Sequence, residues 1–132
     1  MRHPRAHEFE TKLKRLFDTI DDELEEEYGG RYRLHPSRPE RGRTSNKAHD
    51  GLFNLGATFT PGYGSKLGRG YIVQVDLVTL ENVPSDVRSS IEERVADLVN
   101  AKLPYYFPHR RLRVDRDRST FKIHGDLRLG EI

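Results

Sequence analysis

The chain contains no cysteine, which excludes a disulfide framework and any thiolate metal site. It has no tryptophan and a single methionine, and apolar residues make up only 34% of its 132 residues against 33% charged. So small an apolar share predicts a thin core with loosely ordered stretches beside it. No run approaches the ~18 consecutive apolar residues of a membrane span. The first residues, MRHPRAHEFE, lack the apolar centre of a secretory signal, so the expected location is cytoplasmic. Nucleophilic catalysis has no cysteine and no G-x-S-x-G elbow to work with. The one dense group of acids, DDELEEE, lies along a helix surface where solvation is the better reading. These absences predict a binding protein rather than an enzyme, and no cofactor.

What is present suits one domain spanning residues 1–132. Phe9, Leu13, Leu16, Phe17, Ile20, Leu24 and Tyr28 form a single helical stripe that Gly29 and Gly30 end. Phe53, Leu55, Ala57 and Phe59 alternate with small or polar residues as a short strand. From 71 to 80 a longer strand carries Tyr71, Val73, Val75 and Leu77 on one face and Gln74 and Asp76 on the other. Val87, Ile91, Val95, Leu98, Val99 and Leu103 mark a second helix, with Pro84 at its start and Pro104 as its expected stop. Leu112, Val114, Phe121 and Ile123 then define a hairpin turning at 115–119, and the tail GDLRLGEI keeps some alternation at Leu127 and Leu129.

The order is α-β-β-α-β-β, a circular permutation of the ferredoxin-like β-α-β-β-α-β order. A right-handed crossover through the second helix leaves room for the last strand between the second and third. The predicted fold class is therefore α+β: a two-layer sandwich with a four-stranded, mainly antiparallel sheet and two helices on one face. Phe17, Ile20, Val73, Val75, Val95 and Leu98 are expected to be buried together. The other sheet face is expected to be open, showing Asn54, Thr58, Gln74, Asp76, Arg111, Arg113, Thr120, Lys122 and His124, with Asp76 beside His124 and Lys122.

Charge is uneven although the net is only +2. Residues 1–28 hold 5 basic and 9 acidic side chains, 29–70 hold 8 and 2, 71–103 hold 3 and 6, and 104–132 hold 7 and 4. The first helix places its acids at its C-terminus, against its own dipole, so a basic partner is required there. Arg31 and Arg33 are the nearest in sequence. Beyond them, 35–49 reads as a mobile basic loop with Arg38, Arg41, Arg43 and Lys47, since Pro36 and Pro39 exclude a regular helix.

A second loop, 61–70, contains Gly62, Gly64, Gly68 and Gly70 with Tyr63, Lys66 and Arg69. Its glycines allow positive φ and let backbone N–H groups line a concavity for an anion. It leads into a strand, whereas Rossmann and P-loop glycines open a helix, so neither motif is matched. His3 and His7, at helical i, i+4 spacing, sit beside Pro4 at a chain end, and no metal site is predicted from them.

The expected ligand is a polyanion, either nucleic acid or a phosphorylated molecule. Gly62, Tyr63, Gly64, Lys66, Arg69, Arg38, Arg41, Arg43 and Lys47 are the candidate contacts, with the two loops converging because both flank the same hairpin. The alternative is a protein-interaction or homodimeric domain using the open sheet face or the YYFP corner at 105–108.

Overall fold

The helical and alternating patterns come out as six main elements in the computed structural model, which describes residues 4–127. In chain order they are α1 (Pro4–Tyr28), β1 (Phe53–Thr60), β2 (Gly70–Leu77), α2 (Ser85–Tyr106), β3 (Leu112–Asp117) and β4 (Thr120–Gly125), with a single 3-10 turn at Lys47–His49. The sheet order is β1-β2-β4-β3 and every neighbouring pair is antiparallel. The class is α+β. His3 and residues 128–132, including Leu129, lie outside the described residues.

The stripe of α1 is buried as its spacing requires: Phe9, Leu13, Leu16, Phe17, Ile20 and Leu24 all lie in the core. Each such side chain contributes about 1.5–3 kcal/mol on leaving water. Opposite them, Phe53, Leu55, Tyr71, Val73, Leu77, Val114 and Ile123 come from one face of the sheet. Both helices pack against the strands and against each other.

Two boundaries differ from those the sequence predicts. α2 runs past Pro104 to Tyr106, because a helical φ suits proline and the following turn closes through Phe107 N–H to the Leu103 carbonyl at 2.8 Å. Its core face is Ile91, Val95, Ala96, Val99 and Leu103, with Leu98 only partly buried. β2 ends at Leu77 rather than 80: Val78 N–H still bonds the Leu52 carbonyl in the β1–β2 register, but the Val78 carbonyl accepts from His35 N–H instead of from β1. Among the described residues no helix is long and apolar enough to cross a membrane.

Each sheet edge is capped by side chains at one position among the described residues. On β3, Asn100 of α2 pairs with both backbone groups of Val114, accepting at 2.7 Å and donating at 3.1 Å, as a neighbouring strand does. On β1 the capped position is Phe53, whose N–H donates to Glu25 and whose carbonyl accepts from Arg38.

Candidate functional site

The basic segment 35–49 is folded back on α1 and its cations are engaged there. Arg38 reaches the carbonyl oxygens of Ala48, Asp50, Gly51 and Phe53 at 2.7–3.1 Å. Arg41 lies 2.8 Å from Asp21, 2.7 Å from Asp22 and 3.2 Å from Asp50. Lys47 is 2.8 Å from Asp22. Arg43 alone in this group stays 73% exposed, 3.8 Å from Glu40. Asp50, 1% exposed, organises the turn by accepting from Gly42 N–H, Thr44 N–H and the Thr44 hydroxyl at 3.0–3.2 Å. Next to it Gly51 has φ +73°, and a Cβ there would come within 2.6 Å of the Glu25 carboxylate that caps β1.

Burial pushes Asp21 up to about 7, against the attraction of Arg41 and with the help of the neighbouring acids Glu25, Asp22 and Asp18. Asp22 feels an upward push from burial too, but hydrogen bonds from Lys47 and Arg41 hold it below the usual carboxylate range. The acidic end of α1 is thus balanced by Arg41 and Lys47 of the loop, and from α2 by Arg94 on Glu27 and Lys102 on Glu23, each at 2.9 Å. Arg31 takes a smaller share: behind the hydrogen bond from Arg94, its charge helps hold Glu27 below the usual carboxylate range while its guanidinium stacks on Tyr28, 4.9 Å from the ring centroid, whereas Arg33 offers its backbone N–H to Glu81.

The glycine loop lies at the other end of β1. Eight strand residues, a span of about 26 Å at ~3.3 Å per residue, separate it from the basic segment, so the two sets of cations do not converge. Four of its N–H groups are used within the loop and its flank: Gly62 to the Thr60 hydroxyl, Ser65 to the Gly62 carbonyl, and Leu67 and Gly68 to Ser65, at 3.0–3.3 Å. Gly62, at φ +77°, is packed so closely that a Cβ would stand 2.1 Å from the Gly68 carbonyl. Two loop carbonyls face cations of the protein itself, Gly64 toward Arg118 at 3.1 Å and Gly68 toward Lys122 at 2.7 Å.

Lys122 explains why the loop lies over the sheet. It projects from β4 on the face opposite the helices, is 2% exposed, and also meets Ser65 at 2.9 Å and Asp117 at 2.6 Å. Hydrogen bonds from Lys122 and then Ser65 hold Asp117 below its ordinary range. That face is therefore not open at β4. His124, 8% exposed, pairs with Asp115 at 2.7 Å, and with Arg113 it holds Asp115 low. Asp76, expected beside Lys122 and His124, instead sits opposite Asn54 on β1; the acids that meet these two cations are Asp117 and Asp115.

Tyr63 is 92% exposed. Lys66 and Arg69 are exposed and have no ion-pair partner among the described residues. Arg69 lines a cleft of about 600 Å³ together with His109, Arg111, Gly125, Asp126 and Leu127. The strands bring these together: β2 starts beside the end of β4, and Asp126 N–H donates to the Arg111 carbonyl at 2.9 Å just before β3. Arg110, next in sequence, is used otherwise, over the Phe9 ring at 5.3 Å and toward the Asp126 carbonyl at 3.2 Å. Arg69 and Arg111 therefore share one wall without an acid bound to either guanidinium among the described residues.

A family of uncharacterised proteins matches this chain over residues 4–125, which takes in every element of the fold. The chain belongs to that family. It is 38% identical over 119 residues to an uncharacterized protein of Borreliella burgdorferi (strain ATCC 35210 / DSM 4680 / CIP 102532 / B31), covering 90% of this chain and 93% of that relative. No solved structure matches it.

Asp50 and Asp117 carried no usable sequence signal, and alternation put Lys122 on the face away from the helices without giving its partners, because each acts through residues brought in by the fold. His109 and Arg111 were visible only as part of a basic run after the aromatic corner. In that corner Phe107 is core, stacked on Phe9 at 4.5 Å, while Tyr105 is 82% exposed.

Proposed function

We propose that the protein binds a phosphate-bearing ligand, a nucleic-acid backbone or a phosphorylated small molecule, in the cleft between Arg69, His109 and Arg111. The observation that carries this reading is that Arg69 and Arg111 line one cleft, also lined by Asp126, with neither guanidinium in an ion pair among the described residues. Two planar forks and an imidazole suit the tetrahedral oxygens of a phosphate, and guanidinium binding to such an anion is charge-assisted. Lys66, exposed on the glycine loop, is the loop cation left to extend the contact along a longer anion, while Arg43 lies with the basic segment at the other end of β1. Arg38, Arg41 and Lys47 drop out of the ligand set on this reading because their donors are engaged within the protein. Gly62 and Gly64 serve to shape the loop that presents Tyr63, Lys66 and Arg69.

The same proposal includes a cytoplasmic location, where nucleic acids and phosphorylated molecules are both at hand. It also reads the fold as a permuted ferredoxin-like arrangement, which the placement of β4 between β2 and β3 supports.

The test is titration of the protein with a single-stranded RNA oligonucleotide and, separately, with pyrophosphate, at low and moderate salt. An Arg69→Ala, Arg111→Ala double variant is expected to bind whichever ligand is taken at least tenfold more weakly. For RNA its log–log salt slope should be shallower by about 1.4, two contacts at ~0.7 each. Unchanged affinity in the double variant overturns the site.

A further inference from the structure

The backbone of β1 forms an edge of the sheet that its own side chains do not blunt. Val78 N–H donates to the Leu52 carbonyl, so in β1 the even-numbered residues bond to β2 while Phe53, Leu55, Ala57 and Phe59 turn their N–H and C=O groups outward. Phe53 is capped by Glu25 and Arg38, and the opposite edge is capped at Val114 by Asn100. Leu55, Ala57 and Phe59 have no such partner among the described residues. No proline or charged residue occurs anywhere in β1, the usual devices that blunt a free edge. Beside this edge runs a groove floored by Leu13, Phe17 and Tyr71 and bordered by Glu10 and Lys14 of α1, with Phe59 half exposed at its end.

We propose that β1 is an interface strand, and that a second copy of this chain pairs with it antiparallel through Leu55, Ala57 and Phe59, joining two sheets into one. Centred on Ala57, the pairing is its own mirror in register: Leu55 of each copy faces Phe59 of the other, and all three outward residues exchange both of their backbone bonds. The half-exposed Phe59 ring gains a neighbour at cross-strand distance.

Charge along α1 fits the same axis. α1 runs antiparallel to β1, with Glu25 at Phe53 and Phe9 stacked on Tyr71, the residue opposite Phe59. Ala57 lies four residues, about 13 Å, along the strand from Phe53, which equals roughly nine residues of helix from Glu25 and so falls near Leu16. An axis there sets Lys14 of one copy level with Asp18 of the other, extending the Lys14–Asp18 pair already present within each α1 across the interface. A second copy thus meets both the hydrogen-bonding and the charge pattern, which is why it is favoured over an unrelated extended peptide.

Sedimentation of the purified chain is expected to show a dimer that dissociates on dilution. Amides of Leu55, Ala57 and Phe59 should be protected from hydrogen exchange in the dimer and lose that protection on dilution. Ala57→Pro removes an outward N–H that has no partner among the described residues, so the fold is expected to be retained and the dimer lost. Phe59→Lys, an exposed position, is the second variant in case the proline unfolds the chain, and it too should sediment as a monomer with native circular dichroism. A parent protein that stays monomeric at all concentrations, or a dimer that survives Phe59→Lys with those three amides unprotected, overturns the proposal. So does a monomeric parent in which the same amides become protected only when an unrelated extended peptide is added. Neither variant touches Arg69 or Arg111, so failure here leaves the phosphate reading standing.

Discussion

Two cationic regions of this molecule look alike in the sequence and behave differently in the fold. In the segment 35–49, Arg38, Arg41 and Lys47 are all spent on the carbonyls of their own loop and on the acids of α1. At the far end of the sheet, Arg69 and Arg111 share a cleft with His109 and pair with no acid among the described residues. The first region is a clasp that holds the loop on α1, and the second is the one proposed to take a ligand. The difference teaches that a run of basic residues reports on binding only after the protein's own anions have been assigned to it.

The sharpest way to break that comparison is to remove one arginine from each side. Arg41→Ala leaves the buried Asp21 and Asp50 without their cation and is expected to lower stability toward the lower end of the roughly 3–5 kcal/mol that follows loss of a buried partner, because Arg41 is itself a quarter exposed. Arg69→Ala, which removes no ion pair among the described residues, should stay within about 0.5 kcal/mol of the parent. Denaturant melts of both variants decide the matter, and equal melts would erase the distinction between clasp and cleft.

A smaller effect comes from Asp21. Its folded value of about 7 lies above its ordinary 3.8, so the native state binds this proton more tightly than the unfolded chain does. Its contribution therefore favours folding below pH 3.8 and is progressively lost as pH rises from there to about 7. Asp22 and Asp50, held low, act in the opposite sense: their stabilisation is present above the usual carboxylate range and is lost as pH falls through it. Asp21→Asn, which keeps the neutral form at every pH, should raise the melting temperature at pH 8 more than at pH 5. Thermal melts at the two values test this, and an equal shift at both would detach Asp21 from the clasp's pH response.

The gentlest probe is Lys122→Met, which keeps the buried stem and removes the ammonium that holds the Gly68 carbonyl, Ser65 and Asp117. Faster hydrogen exchange at Leu67 and Gly68, with the β1–β2 amides unchanged, is the expected result. Unchanged exchange at those two residues would mean that the loop's own turns suffice to hold it over the sheet.

Much of the fold was legible because it rests on local periodicity. The stripe from Phe9 to Leu24, the alternation of β2 and the hairpin of β3 and β4 are each written within a few residues of themselves, and burial followed them. Boundaries were less so: a proline at position 104 fits the last turn of a helix as well as it ends one, and only the closing bond from Phe107 chooses between these. The site depended on pairings between residues far apart in sequence. Asp21 with Arg41, Ser65 with Asp117, Lys122 with Gly68, and Arg69 beside Arg111 are separated by 20 to 54 positions, and no spacing rule reaches that far. The sequence by itself determined two amphipathic helices, four strands, one apolar sheet face and the amount of charge of each sign. Tertiary structure alone decided which charges cancel, because an ion pair needs its partners within about 4 Å, and that distance is set by how the helices and loops are folded against the sheet.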